Sequence, residues 1–216
     1  MDMKDLLKDI GSYMKKYGFK RKGKLYFTIK NDIAFCLEFE KPGHSIYLAY
    51  YVIPLYIPHE TRCFTYGTRT NLDSVFMRGN MYQNQHSLDE KDRLQTLVSY
   101  IEINVIPFFE RFGNILRLTQ FAEADKLDDY ILCDDISRLR LLFLSYAFIG
   151  KQNEALAITM EYRIALQNAN WLTDAVKEQR VKEIEDICYL LKEKPEEISA
   201  WYDEVIANSL NACSLM

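Results

Sequence analysis

Several chemistries are excluded by what this chain does not carry. Five cysteines are spread over 216 residues as Cys36, Cys63, Cys133, Cys188 and Cys213, too far apart for any Cys-x-x-Cys pair. That spacing excludes a paired-cysteine zinc or redox motif and leaves free, neutral thiols as the expectation. Only three histidines occur, His44, His59 and His86, and none sits in a His-Glu-x-x-His segment. A phosphate-binding Gly-x-x-x-x-Gly-Lys-Ser/Thr loop, a Gly-x-Gly-x-x-Gly turn and a Gly-x-Ser-x-Gly elbow are all missing. No apolar run approaches the roughly 18 residues needed to cross a bilayer. The opening MDMKDLLKDI alternates charged and apolar residues, unlike the unbroken apolar core of a signal peptide. These absences predict a cytoplasmic protein with no membrane association, no metal and no cofactor.

What is present is ordinary material for a core. Apolar residues make up 49% and charged residues 27%, which argues against wholesale disorder and allows one large or two small domains. Net charge is −4, but it is unevenly placed. Residues 1–30 carry nine Lys/Arg against three Asp, whereas residues 88–216 carry 14 basic and 23 acidic side chains. The basic end can pair with the acidic remainder or meet an anionic partner.

The densest β-forming stretch runs from Ile33 to Ile57. Ile33, Phe35, Leu37 and Phe39 alternate with Ala34, Cys36, Glu38 and Glu40, the period of a half-buried strand. Pro42-Gly43 suits a type II turn. The following strand is apolar or aromatic on both faces, as in a central strand, until Pro54 and Pro58 limit its pairing. Before it, Met3, Leu6, Leu7, Ile10, Met14 and Tyr17 form one stripe of an amphipathic helix over residues 2–17. A basic loop, Lys20 to Lys24, leads into a strand from Leu25 to Lys30, and Asn31-Asp32 suits a tight hairpin. A fourth strand is predicted over Arg62–Tyr66, and residues 67–87 read as polar and irregular.

Ser87-Leu88-Asp89-Glu90 reads as a capping box opening a long helix, with Pro107 expected to kink or split it near Val105. Further helices follow from Ile115 to Ala124, Ile136 to Phe148, Glu154 to Leu166, Thr173 to Leu191 and around Trp201. The Gly150 hairpin has tetratricopeptide-like phrasing, but no second copy recurs at a fixed period. The expected fold is therefore α+β: an N-terminal helix, an antiparallel β-meander and a long packing helix over 1–113, with an all-helical extension over 114–216 packed on it.

Tyr17-Gly18-Phe19-Lys20-Arg21-Lys22-Gly23 closing the first helix, the strand Tyr26-Phe27, the paired strands from Ile33 to Ile57, and Val105-Ile106-Pro107-Phe108-Phe109 together carry a likeness. Over roughly residues 1–115 the chain resembles a bacterial family known only as domain of unknown function 4304. The resemblance implies an α+β fold and assigns no activity or catalytic residue.

Candidate binding residues fall into two sets. Tyr47, Tyr50, Tyr51, Tyr56 and Tyr66 lie on or near the predicted sheet, where tyrosine serves either core packing or recognition. Lys20, Arg21 and Lys22, with Lys15, Lys16 and Lys24 nearby, suit phosphate or nucleic acid, with Phe19 and Tyr26 placed to stack on bases. The acidic balance elsewhere disfavours nucleic acid as the partner. For catalysis, His59, Glu60 and Arg62 are the least poor set, as a dispersed acid/base site. Asp128-Asp129 and Asp134-Asp135 lack the alternation of a calcium loop and read as an acidic connector and a helix cap. The leading expectation is a protein-binding module of accessory or immunity type that neutralises a partner. A motif-less enzyme and a basic-loop phosphate or nucleic-acid binder are the alternatives.

Overall fold

The computed structural model describes residues 3–62, 66–83, 90–124 and 134–216. The chain is α+β, with a five-stranded antiparallel sheet and many helices. It divides into two units: residues 1–53 with 66–114, and residues 54–65 with 115–216. Residues 54–62, expected with the sheet, thus cluster with the helices.

In the sheet unit, α1 (Met3–Lys16) precedes β1 (Lys20–Lys22), β2 (Leu25–Lys30), β3 (Ile33–Glu40), β4 (Tyr47–Pro54) and β5 (Tyr66–Asn71), which lie side by side in chain order. The β2–β3 hairpin turns at Asn31 and Asp32, both at positive φ (49° and 59°), the geometry for which those residue types are favoured. Register places Phe27 opposite Cys36, and Thr28 opposite Phe35. One face therefore carries Leu25, Phe27, Cys36 and Glu38, and the other Tyr26, Thr28, Phe35 and Leu37. The expected basic loop is instead a paired edge strand, β1, all three residues exposed. Lysines there blunt an edge that would otherwise template pairing with another chain.

Two further expectations are corrected. The fourth strand begins at Tyr66, not Arg62, while residues 63–65 lie outside the described residues. The polar stretch beyond it is no irregular loop but opens α2 (Leu72–Gln83), where the Asn71 side chain accepts from Asp73 N–H at 2.9 Å and so caps the helix. The capping box at Ser87, with His86 beside it, falls outside the described residues.

The long helix divides around its proline. After α3 (Glu90–Tyr100) comes a π-helical turn, Ile101–Val105, and then α4 (Ile106–Phe112). Pro107 cannot donate a hydrogen bond and clashes with the turn before it. The wider turn, in which Ile106 N–H reaches back to Ile101 O, places Pro107 at the start of α4, where the missing N–H is tolerated. Phe108, Phe109 and Phe112 are all buried. Burying each is worth about 1.5–3 kcal/mol.

In the helical unit, α5 (Ile115–Glu123), α6 (Asp135–Phe148), α7 (Gln152–Asn168), α8 (Asp174–Glu193) and α9 (Ile198–Ala212) follow one another. Each packs on the next. Asp134 caps α6 through Ser137 N–H at 2.9 Å, and Thr173 caps α8 through Val176 N–H at 3.4 Å, as the sequence predicts for both. Asp128-Asp129 and Cys133 lie outside the described residues. No helix among the described residues is long and apolar enough to cross a membrane.

Gly67 of β5 pairs with Tyr51 of β4. A Cβ there would stand 2.2 Å from Tyr51 Cβ and 2.6 Å from Tyr50 O. Since the obstruction is backbone, Gly67→Ala should destabilise the protein by about 3 kcal/mol, the upper end for overpacking. Urea unfolding checks this through a lowered midpoint at unchanged slope.

Candidate functional site

The sheet unit holds an open cleft of about 280 Å³. Its floor is aromatic: Phe19, Phe35 and Phe109 form one cluster, with ring centroids 5.7 Å apart for Phe19–Phe109 and 5.2 Å for Phe35–Phe109. Three elements supply the walls. Tyr17 comes from the end of α1, Thr28 and Lys30 from β2, and Ile106, Glu110, Gly113 and Asn114 from α4 and its exit. Gly113 is required here because a Cβ would lie 2.2 Å from the Phe35 ring. The segments Tyr17–Gly23 and Val105–Phe109, far apart in sequence, each contribute two side chains to this one cleft.

The wall at Tyr17 is held in place. Its hydroxyl lies 3.1 Å from that of Tyr13, and the rings are 5.3 Å apart. Burial, then the Tyr17 hydroxyl and the nearby Glu102 carboxylate, raise the pKa of Tyr13, so the Tyr13 phenol stays neutral at physiological pH. Glu102 belongs to the π-helical turn, so the register shift ahead of Pro107 also positions this support. Lys30, on the rim, is exposed and has no ion-pair or hydrogen-bond partner among the described residues, whereas Glu110 is engaged.

The tyrosines expected on a binding face are placed otherwise. Tyr50 is buried under α3 and α4, its ring 5.2 Å from Phe108 and its hydroxyl 3.4 Å from that of Tyr100. Tyr51 is buried on the opposite face and donates to Glu38 at 2.8 Å. Tyr56 belongs to the helical unit, is fully buried, stacks on Phe148 at 4.7 Å and meets Ser145 Oγ at 2.9 Å. Tyr66 is buried, and Tyr47 is half-buried with the Arg69 guanidinium 4.1 Å from its ring centre. None of these five tyrosines lines the cleft. Arg21 is likewise committed: it donates to Leu7 O at 3.2 Å and Gly23 O at 2.9 Å and lies over the Tyr26 ring. Lys20 and Lys22 remain exposed. Tyr26 is buried away from the cleft and Phe19, 8% exposed, lines the cleft floor, so neither presents an open ring face beside Lys20 and Lys22 for a base to stack on.

His59 and Glu60 do not form an acid/base pair. His59 Nε2 lies 3.1 Å from Pro54 O, an acceptor, which fixes the Nε2–H tautomer, while Glu60 accepts from Gln179 at 2.7 Å. Around His59 lies a polar cluster of the helical unit. Arg140 grips Glu183 with two bonds, 2.8 Å from Nε and 2.6 Å from Nη2, and donates to Pro58 O at 2.9 Å. Arg180 adds a second guanidinium 3.4 Å from Glu183. Burial, then the Arg140 charge, push the His59 pKa down to about 4. This cluster, with Ser209 donating to Ile57 O at 3.0 Å, fastens residues 54–62 to the helices. It is an anchoring device, and its charges are spent on one another.

Among the described residues, no group of three His, Cys, Asp or Glu side chains is gathered as metal ligands would be. Of the cysteines, Cys36 and Cys213 are buried, and neither they nor Cys188 is in a disulfide. No family model, no curated protein and no solved structure matches the chain. Sequence reasoning set Phe19 to stack on bases, quoted Phe109 only for the family likeness, and gave Thr28, Lys30 and Gly113 no part in a site. The signal that points to the cleft is the pair of motif segments, each contributing both a floor residue and a wall residue.

Two measurements check the polar cluster. Arg140→Ala leaves Glu183 short of its closest partner and should cost about 3–5 kcal/mol of stability, as for other broken buried pairs. His59 has a folded pKa below its unfolded value of 6.5, so its neutral form is favoured by folding. Its contribution is fully present above about pH 6.5 and is lost as pH falls towards 4. His59→Gln should therefore flatten the pH dependence of unfolding free energy across that window and leave it unchanged above pH 7.

Proposed function

We propose that this chain is a protein-binding module of accessory or immunity type, which neutralises a partner by seating part of it in the cleft of the sheet unit. The observation that carries the reading is the preformed, aromatic-floored cleft on which two separate motif segments converge. Interfaces are dominated by a few anchors that fill such pockets, and a preformed pocket spares the ordering cost of binding. The resemblance to the domain of unknown function 4304 family spans the whole cleft and, with no activity assigned to that family, is compatible with binding. Catalysis is disfavoured because His59, Glu60 and Arg62 lie in the segment fastened to the helical unit, with His59 and Glu60 turned to different partners. Nucleic-acid binding through residues 20–24 is disfavoured because Tyr26 is buried, Phe19 is turned into the cleft floor and Arg21 is bonded to α1.

A photo-crosslinking amino acid placed at Thr28 or Asn114 on the cleft rim, and at Asp203 on α9 as a control, tests this in the cells that naturally make the protein. The expected result is one protein adduct common to both rim positions and absent at Asp203. Adducts identical at all three positions, or none at the rim, would overturn it.

A further inference from the structure

The dimensions and charge of the cleft specify what enters it. This step rests on the cleft being the partner's seat. We propose that the occupant is an acidic segment of a partner protein that inserts one bulky apolar side chain, with a carboxylate beside that anchor meeting Lys30.

Size comes first. A cleft of about 280 Å³ falls below the roughly 300–1,000 Å³ of pockets that enclose drug-sized ligands and cofactors. It accommodates a single large side chain. The floor of Phe19, Phe35 and Phe109 offers ring faces and edges with no charged group among them, so the inserted group is apolar and an aromatic ring suits it best.

Charge comes second. The rim carries one cation and one anion, and they are not equivalent. Glu110 is already engaged, whereas Lys30 is exposed and without a partner among the described residues. The open valence is therefore positive. Lys15 and Lys16 are exposed at the end of α1, immediately before Tyr17, and extend the same sign. Glu102 opposes them, but it lies near Tyr13 and does not line the cleft. Complementary charge beside an apolar anchor sets specificity and encounter rate more than affinity. The anchor thus supplies the affinity and Lys30 the choice of partner.

The experiment uses the full chain and fluorescein-labelled nine-residue peptides with a central Trp. One peptide has Asp/Glu flanks, a second has Lys flanks, and a third has acidic flanks with Ala in place of Trp. Anisotropy titrations are run on the wild type, Lys30→Glu, Thr28→Trp and, as a second cleft-filling variant at an exposed position, Asn114→Trp. Folding of each is checked by its melting curve. The acidic Trp peptide should bind best. Removing the Trp should cost about 30-fold, as for an interface hot spot. Lys30→Glu should weaken the acidic peptide about fivefold and favour the Lys-flanked one, the scale of an exposed ion pair.

Equal binding of acidic and Lys-flanked peptides, or no effect of Lys30→Glu, would overturn the proposed partner chemistry while leaving the seat intact. Undiminished binding to both cleft-filling variants would remove the seat itself. Phenylpropionate competing as tightly as the peptide would reassign the cleft to a small aromatic acid. Absence of binding by every peptide would also contradict the proposal.

Discussion

Phe35 meets the end of α4 at a point where Gly113 has no side chain, and the sheet unit depends on that close approach. With a Cβ 2.2 Å from the ring excluded, the helix can lie against β3 only because the residue there is glycine. The approach brings Phe109 to 5.2 Å from Phe35 and lets Phe19 join them from the loop after α1. Pro107 cooperates from the other end of α4. Its missing N–H forces the wide turn over Ile101–Val105, and that turn presents Glu102 to the Tyr13–Tyr17 pair. One glycine and one proline thus decide where the aromatic floor lies and what stiffens its wall. The cleft is what remains open between them.

The helical unit follows a different logic, in which polar groups do the fastening. The Arg140–Glu183 pair is shielded from water, so its cost of desolvation is repaid only through good geometry and further bonds. It has both: a two-bonded guanidinium–carboxylate contact and an extra bond to Pro58 O. Burial first, then the charge of Arg140 with a smaller one from Arg180, disfavour an imidazolium at His59. A histidine in that setting makes a structural hydrogen bond. A motif-free sequence invites suspicion of any loop histidine, but the charges around this one oppose the proton transfer that catalysis requires.

Much of the architecture was legible in the sequence, and the reasons are local. The alternation from Ile33 to Glu40, the Asn31-Asp32 turn, the Thr173 and Asp134 caps and the break before Pro107 all rest on interactions within a few residues. What was not legible is tertiary. The basic run at Lys20 is charged and short, and it becomes a strand only because β2 offers a pairing edge. α2 has a weakly amphipathic, polar sequence, and its start rests on a single Asn71 cap. The tyrosines were ambiguous for the same reason: strand residues that suit a core equally suit a surface, and only the packing of Phe108 and Phe148 against them decides. The cleft was partly visible, since its two motif segments stand out. Their convergence, and the roles of Thr28, Lys30 and Gly113, require the fold.

The central claim is that the cleft of the sheet unit, and no other apolar surface, receives the partner. Spectra of protein labelled at isoleucine δ-methyl groups test it most directly, because Ile106 lines the cleft while Ile164, 49% exposed, belongs to the helical unit. On titration with the acidic, Trp-centred peptide, the account predicts a saturable shift of the Ile106 methyl with Ile164 unmoved. A shift at Ile164 with Ile106 unmoved would contradict it.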